Sequence, residues 1–354
     1  MKNKITILSA FFIAAIFFTA CSKIAIFLPK DQSFSLMSNA ATKVVTPPVT
    51  YLTGSAADVT TTPKAGLLLM GGSTDVDAAI QWFLQRANGG DVVVIRATGA
   101  DGYNTYMYNM VPVNSVRTII IDSREKAALP DVAQKIRNAE ALFIAGGDQW
   151  DYVNYWKNTP TEDAINYLIN TKKVTVGGTS AGLAVLGNTY FSAQYGTVTS
   201  AQALSNPYNR YMALGSNDFI SSPWMQNTIT DSHYTQRDRQ GRHITLMARL
   251  MKDYAFTTIK GIGVDEQTAV CIDETGIGKV FGINQAYFLQ NANLGAETCV
   301  SAVPLTWNRS QLAVTAYKIT GTSTGNGSFN ANTWALSGGT AFNYYVNNGV
   351  LFQN

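Results

Sequence analysis

The chain has 354 residues, of which 46% are apolar, so it can bury a large core, and disorder of the whole chain is excluded. Its formal net charge is only +3, and its Lys and Arg residues are scattered along the chain without forming a basic stripe. The composition therefore gives no electrostatic basis for binding nucleic acid.

The amino terminus has the features of an export signal. Two lysines in Met1–Lys4 precede Ile5–Ala20, an apolar run of about 16 residues, whereas a bilayer needs roughly 20. Residues 1–20 are therefore predicted to be a signal peptide and not a membrane span. The small residue before Cys21 resembles a lipoprotein cleavage site, which predicts lipid attachment at Cys21 and anchoring to a bacterial cell-envelope membrane, on the periplasmic face or the cell surface. A plain secretory signal with an incidental cysteine is the alternative.

Residues 21–64 are rich in Ser, Thr, Ala and Pro and show no sustained periodicity, which is typical of a flexible tether. Beyond the tether, only Cys271 and Cys299 remain. One pair is too few for a disulfide framework, and the sequence does not decide whether the two bridge. The chain has no CxxC motif or Cys/His cluster, so a structural zinc site is not predicted.

From residue 65 onward, short apolar runs alternate with longer amphipathic stretches. In chain order, the predicted elements are strand Ala65–Met70, helix Ala78–Arg86, strand Asp91–Arg96, strand Val116–Ile121, helix Leu129–Ala139, strand Ala141–Ala145, helix Thr161–Asn170 and strand Lys173–Val176. Strands that are apolar almost throughout and separated by helices indicate a parallel sheet covered on both faces. The predicted fold is α/β, doubly wound, with a mostly parallel sheet and helices on both faces.

The chain becomes strand-rich after Gly261. The predicted strands there are Ala269–Ile272, Val280–Gly282, Ala286–Leu289, Leu312–Lys318 and Val350–Phe352. Because no linker precedes them, we expect extra C-terminal strands added to the same core. Residues 65–354 are thus predicted to form one domain.

Gly178–Gly182 reads G-T-S-A-G between a predicted strand and a helix-like run. This pattern is typical of a nucleophile elbow, in which flanking glycines allow a tight turn that lifts the hydroxyl of Ser180 above the sheet. The N–H of Ala181 at the helix start can stabilise an oxyanion. The same glycines are also compatible with a simple glycine-rich helix start.

A serine nucleophile needs a base, and the chain offers only His233 and His243. His233 lies in the polar stretch Asp231–Arg239, and His243 adjoins the amphipathic run Ile244–Met251, where we expect it to face solvent or pack on a helix. The pattern therefore favours His233.

A third group must orient the imidazole. Asp265 and Glu266 lie together in an otherwise apolar run that is predicted to be a strand. Strand alternation sends them to opposite faces, so only one can meet His233. These patterns do not choose between the two acids.

Taken together, the motifs resemble those of the serine peptidases that include cyanophycinase and the aspartyl dipeptidases, whose core is similar to that of class I glutamine amidotransferases. The resemblance covers about residues 65–354. Its motifs are Ala145–Gln149, Gly177–Gly182, Asp231–Tyr234 followed by Arg237, Arg239 and Gly241-Arg242, and Gly261–Ala269.

The resemblance implies that Ser180 is the nucleophile, His233 the general base and later acid, and Glu266 the orienting carboxylate. It also implies an oxyanion hole formed by the N–H groups of Gly147 and Ala181, with Gly146 one residue away. The implied substrate-binding residues are Gln149, Thr179, Asp231, Arg237 and Arg239. No metal or organic cofactor is implied.

The implied substrate is a peptide that is rich in aspartyl residues or β-linked, such as cyanophycin. Several residues depart from the family's pattern, and they are Leu183, Ser232, Tyr234 and Trp150-Asp151. Two other functions stay open: an esterase of the α/β-hydrolase type, in which the acid precedes the histidine, and an inactive binding lipoprotein. The sequence also leaves a homodimer open.

Overall fold

The computed structural model describes residues 45–292 and 294–354. The strands are β1 Thr50–Gly54, β2 Gly66–Met70, β3 Asp91–Arg96, β4 Ser115–Ile120, β5 Ala141–Ile144, β6 Thr175–Thr179, β7 Thr189–Phe191, β8 Leu214–Ser216, β9 Thr228–Asp231, β10 Lys260–Val264, β11 Thr268–Ile272, β12 Ile277–Gly282, β13 Gln285–Asn291, β14 Val314–Thr320, β15 Asn326–Asn330, β16 Leu336–Ser337, β17 Thr340–Asn347 and β18 Val350–Gln353. The helices are α1 Asp77–Gln85, α2 Gly102–Tyr108, α3 Arg124–Ala127, α4 Pro130–Asn138, α5 Gln149–Trp156, α6 Pro160–Tyr167, α7 Ala181–Ala184, α8 Ser200–Ser205 and α9 Gln240–Asp253, with a π-helical turn Leu168–Lys172 and a 3₁₀ turn Pro223–Met225.

The first sheet has ten strands in the order β1-β4-β3-β5-β6-β2-β11-β12-β15-β16, and the five neighbours from β4 to β2 are parallel. Strand β2 shows why this core is covered on both faces. Leu67 and Leu69 join an apolar cluster with α4 and α6, whereas Leu68 and Met70 join the cluster with α1. The predicted α/β fold with a mostly parallel sheet and helices on both faces is confirmed.

The second sheet has eight strands in the order β18-β17-β14-β13-β10-β9-β7-β8 and is mainly antiparallel, although β9 runs parallel to β10. Helix α9 packs against it through Ile244 and Met247. The predicted C-terminal strands divide between the two sheets. Strands β11 and β12 extend the first sheet, whereas β13, β14 and β18 belong to the second.

The predicted signal peptide, Cys21 and the tether up to residue 44 lie outside the described residues. The rest of the predicted tether departs from expectation, because β1 pairs antiparallel with β4 at the edge of the first sheet. Further along, Val59 N–H donates to Asp91 and Thr61 Oγ1 donates to Ala87 O. The boundary predicted at residue 64 is therefore too late, since polar, threonine-rich residues can form an edge strand that shows no apolar run.

Cys271 and Cys299 are both buried, both free, and belong to different apolar clusters. Within the described part of the chain, no helix is long and apolar enough to cross a membrane.

Candidate active site

Ser180 lies on the turn between β6 and α7, at the carboxyl edge of the parallel strands. Its φ is +53°, a left-handed value that is unusual for a residue other than glycine. A Cβ on Gly178 would lie 2.4 Å from the carbonyl carbon of Gly182, and a Cβ on Gly182 would lie 2.0 Å from Ile144 O. Both glycines are therefore needed for the turn that presents Ser180.

His233 belongs to the base loop, which we define as residues 232–239 between β9 and α9. Its Nε2 lies 2.8 Å from Ser180 Oγ, and the residue is 4% exposed. Burial lowers the pKa of His233, an effect that the hydrogen bond to Glu266 opposes and that Arg237 and Arg239 reinforce. The imidazole is therefore neutral at pH 7 and can accept a proton.

Glu266 lies in the acid turn, residues 265–267, where the chain passes from β10 in the second sheet to β11 in the first. Its Oε1 is 2.6 Å from His233 Nδ1, and this hydrogen bond lowers the pKa of Glu266. Asp265 Oδ1 instead accepts hydrogen bonds from Thr235 N–H at 2.9 Å and Thr235 Oγ1 at 2.7 Å. The expectation that both acids lie inside a strand was wrong, because β10 ends at Val264 and a turn follows.

The end of β2 connects all three segments through backbone carbonyls. Met70 O accepts from Ser180 N–H at 3.0 Å, Gly71 O from His233 N–H at 2.8 Å, and Gly72 O from Gln267 N–H at 3.1 Å. These contacts were not predicted, although two glycines directly after an apolar strand, Gly71 and Gly72, could have indicated a close approach of another segment.

Gly72 has a φ of +100°, and a Cβ there would lie 2.6 Å from His233 Nε2 and 3.1 Å from Ser180 Cβ. Only glycine therefore fits beside the serine and the histidine.

The two predicted oxyanion donors lie in separate segments. Ala181 is the first residue of α7, and Gly147 lies in the turn between β5 and α5. Within the described residues, neither N–H has an acceptor, so both are available to a ligand. Gly146 is also close, because a Cβ on it would lie 3.5 Å from Ser180 Cβ.

Of the predicted substrate-binding residues, Asp231 is enclosed in an ion pair, and the others have the following contacts. Gln149 Nε2 donates to Phe191 O at 3.0 Å, and Thr179 directly precedes Ser180 with its Oγ1 buried and without a protein partner among the described residues. Arg237 is 54% exposed, with its Nε 3.8 Å from Glu266 Oε1.

Arg239 contacts the base loop itself. Its Nη1 donates to Ser232 O at 3.0 Å and lies 3.4 Å from Asp231 Oδ1. Burial lowers the pKa of Arg239 to about 10, against the opposing pull of Asp231, so the guanidinium stays charged at neutral pH.

Asp231 is the enclosed residue. It is 3% exposed, and its two oxygens accept from Arg242 Nε at 2.8 Å and Nη2 at 2.6 Å. Burial opposes its charged form, but Arg242 and Arg239 outweigh this and hold the pKa of Asp231 below its usual value. The structure thus places the carboxylate of Asp231 in an ion pair inside the protein, and substrate binding by Asp231 stays a prediction.

His243 is fully buried and bonded to Tyr234 Oη at 3.2 Å and Ile229 O at 3.3 Å. Burial lowers its pKa to about 4, which keeps it neutral. It packs inside the protein and does not face solvent.

Across residues 45–292 and 294–354, no group of three or more His, Cys, Asp or Glu side chains is arranged to hold a metal ion.

A parallel sheet with a serine on a strained strand-to-helix turn, hydrogen-bonded to a histidine, is typical of serine hydrolases. More specifically, residues 67–280 match peptidase family S51. The chain belongs to this family and is a serine-type peptidase.

Curated relatives include cyanophycinases of three cyanobacteria. Those of Trichormus variabilis and Nostoc sp. are each 24% identical over 229 residues, covering 62% of this chain and 71% of theirs. The cyanophycinase of Geminocystis herdmanii is 23% identical and is covered over 78% of its length.

Among solved structures, a peptidase from an acI-B1 Actinobacterium aligns with a TM-score of 0.45 and 15% identity, covering 68% of this chain and 98% of that one. A peptidase E protein of Listeria monocytogenes EGD-e aligns with a TM-score of 0.40 and 14% identity, covering 62% and 100%.

Proposed function

We propose that the protein hydrolyses peptide or isopeptide bonds through a Ser180-His233-Glu266 triad and an acyl-enzyme. The observation that carries this proposal is the continuous hydrogen-bond chain from Ser180 Oγ through the imidazole to Glu266, with distances of 2.8 and 2.6 Å. The chain order of serine, histidine and then acid also differs from that of α/β-hydrolase esterases.

In the first half-reaction, His233 Nε2 takes the proton of Ser180 Oγ as that oxygen attacks the carbonyl carbon of the scissile bond. The N–H groups of Ala181 and Gly147 hold the resulting oxyanion. The imidazolium then gives its proton to the leaving nitrogen as the C–N bond breaks. A water molecule, deprotonated by the same imidazole, attacks the acyl carbon, and its proton returns to Ser180 Oγ as the acid product leaves.

Glu266 has two tasks in this mechanism. It fixes the tautomer by accepting from His233 Nδ1–H, and it stabilises the imidazolium that forms during each half-reaction. Its lowered pKa keeps it ionised across the neutral range, which suits both tasks.

For the substrate, we propose a peptide with an aspartyl residue at the scissile bond, in α or β linkage. Arg237 and Arg239 support this, because Arg237 lies 3.8 Å from Glu266, both side chains act electrostatically on His233, and a guanidinium suits a carboxylate. The cyanophycinase names of the relatives agree with this class.

The test is turnover of cyanophycin and of a panel of α- and β-aspartyl dipeptides, each beside its asparaginyl counterpart, by the full chain and by Ser180→Ala. We expect release of aspartate-containing products by the wild type only, with the asparaginyl members cleaved more slowly. Turnover that survives Ser180→Ala would contradict the mechanism. Turnover without preference for aspartyl members would contradict the substrate class alone, and a wild type that cleaves nothing would favour the binding-lipoprotein function.

We also propose export and lipid anchoring through Cys21, which the charged start, short apolar run and small residue before Cys21 support. Metabolic labelling with a radioactive or clickable fatty acid is expected to mark the wild type and not Cys21→Ser. A label that persists in Cys21→Ser, or that never appears, would contradict the anchor.

A further inference from the structure

The base loop and the acid turn exchange hydrogen bonds in both directions. Thr235 N–H and Oγ1 donate to the side chain of Asp265, at 2.9 and 2.7 Å. In the opposite direction, Glu266 N–H donates to Gln236 Oε1 at 2.9 Å. Consecutive residues of one segment thus bind consecutive residues of the other, beside the hydrogen bond that joins His233 to Glu266.

The two halves of this exchange differ in burial. Asp265 is 3% exposed and also accepts from Gln285 N–H at 3.2 Å, so its loss would leave three partly buried donors without this acceptor. Gln236 is exposed, and water can replace its oxygen when the side chain is removed. We therefore expect the loss of Asp265 to lower folding stability. The loss of Gln236 should change the position of Glu266 with little effect on stability.

The side chain of Glu266 is 23% exposed and forms hydrogen bonds with His233 and Ser73, while two amide side chains contact its backbone. Gln236 holds its N–H, and Asn284 Nδ2 donates to its carbonyl oxygen at 2.9 Å. A displacement of about 1 Å in such a group lowers rates substantially. We propose that Gln236 is a positioning residue that acts through the backbone of Glu266 to set the hydrogen bond between Glu266 and His233. This inference rests on the proposed Ser-His-Glu function.

The experiment compares Gln236→Ala, Gln236→Glu and a control in the full chain, with kcat, KM and pH profiles measured on a cleaved aspartyl peptide. The control is Gln134→Ala, an exposed glutamine of α4 whose amide donates to Asn138. We expect Gln236→Ala to lower kcat roughly 10- to 100-fold with an unchanged KM and melting temperature. The acid limb of the Gln236→Ala pH profile should move to lower pH. The reason is that the imidazolium of His233 loses a well-placed acceptor, which lowers the pKa of His233.

Gln236→Glu keeps an acceptor oxygen, so it should retain kcat close to that of the wild type. Its added negative charge should move the acid limb to higher pH, opposite to Gln236→Ala. Asp265→Asn should instead lower the melting temperature. Gln236→Ala with wild-type kcat and pH profile would overturn the proposal, and so would a loss of activity matched by a loss of melting temperature as large as that of Asp265→Asn.

A second readout does not need turnover. In proton NMR spectra of the full chain, the His233 Nδ1–H in its short bond to Glu266 should give a downfield resonance that is missing in His233→Gln. Gln236→Ala should weaken this resonance or shift it upfield, and Gln134→Ala should not. If the wild type cleaves no substrate, the proposed function fails while this measurement still decides the role of Gln236; an unchanged resonance in Gln236→Ala would overturn it.

Discussion

Ser180 Oγ lies 2.8 Å from His233 Nε2, although the two residues follow strands of different sheets. Ser180 follows β6 of the first sheet, and His233 follows β9 of the second, so the site forms where the sheets meet. The end of β2 contacts both residues through its carbonyl groups and leaves room for no side chain at Gly72. The geometry of the site therefore depends on the position of residues 70–72.

Replacement of Gly72 by alanine should abolish most activity. The added Cβ would lie 2.6 Å from His233 Nε2, so the imidazole must move away from Ser180. We expect kcat/KM to fall on the order of 100-fold or more. Gly89→Ala is a matched control, because Gly89 also has positive φ, +80°, but no heavy atom lies within 4 Å of its added Cβ. Equal losses in the two variants would show that backbone strain, and not contact with His233, causes the effect.

Glu266→Gln should lower kcat by roughly 10²- to 10⁴-fold while the fold is retained. An amide holds the imidazole less firmly and does not stabilise its charged form. Glu297→Gln, in an exposed residue that accepts from the N–H groups of Asn308 and Arg309, is the control and should keep full activity. Steady-state kinetics check this, and a Glu266→Gln enzyme with wild-type kcat would remove Glu266 from the mechanism.

The pH dependence of kcat/KM should show an acid limb with an apparent pKa below 6.5, the ordinary value for histidine. Burial favours neutral His233, and as the pH falls through its lowered pKa the imidazole gains a proton and loses its capacity to act as a base. Initial rates between pH 4 and pH 8 measure this limb. An acid limb centred above 6.5 would contradict the environment described for His233.

Stability should also depend on pH through His243. The pKa of His243 is about 4 in the folded protein, against 6.5 ordinarily. As the pH falls, the unfolded chain therefore takes up a proton at this residue before the folded protein does. The contribution, about 3 kcal/mol, is fully present above pH 6.5 and is lost as the pH falls toward 4. Urea unfolding at several pH values should give a shallower decline for His243→Gln than for the wild type. Parallel declines would show that carboxyl groups alone account for the acid sensitivity.

Asp231→Leu should destabilise the protein by roughly 3–5 kcal/mol, because Arg242 would be left buried without its partner. The double variant Asp231→Leu/Arg242→Met removes both charges and should recover part of that loss. Chemical denaturation of the single and double variants measures the coupling. A single variant with unchanged unfolding free energy and a raised KM would instead support direct substrate binding by Asp231.

The parallel core was predictable because its strands are apolar on both faces, and most predicted boundaries fall within a few residues of the observed ones. The elbow was predictable from its two flanking glycines, since only glycine fits at Gly178 and Gly182. Strand β1 was not predictable, because an edge strand needs no apolar pattern. The enclosure of Asp231 was missed as well, since its partner Arg242 is 11 residues away on α9 and local patterns do not show that contact.

Local sequence patterns could not predict whether Asp265 or Glu266 contacts His233. Alternation along a strand does not apply to them, because the chain turns after Val264 to change sheets. Asp265 faces Thr235 and Glu266 faces His233, and this difference depends on contacts between segments some 30 residues apart.

The most direct test of the account is covalent trapping of the nucleophile. The full chain is incubated with a fluorophosphonate probe, and intact mass with peptide mapping locates the adduct in the wild type, Ser180→Ala and His233→Gln. We predict one adduct per chain on Ser180 in the wild type, none in Ser180→Ala, and much slower labelling in His233→Gln. Labelling at another serine, or at the same rate without His233, would contradict the proposed mechanism.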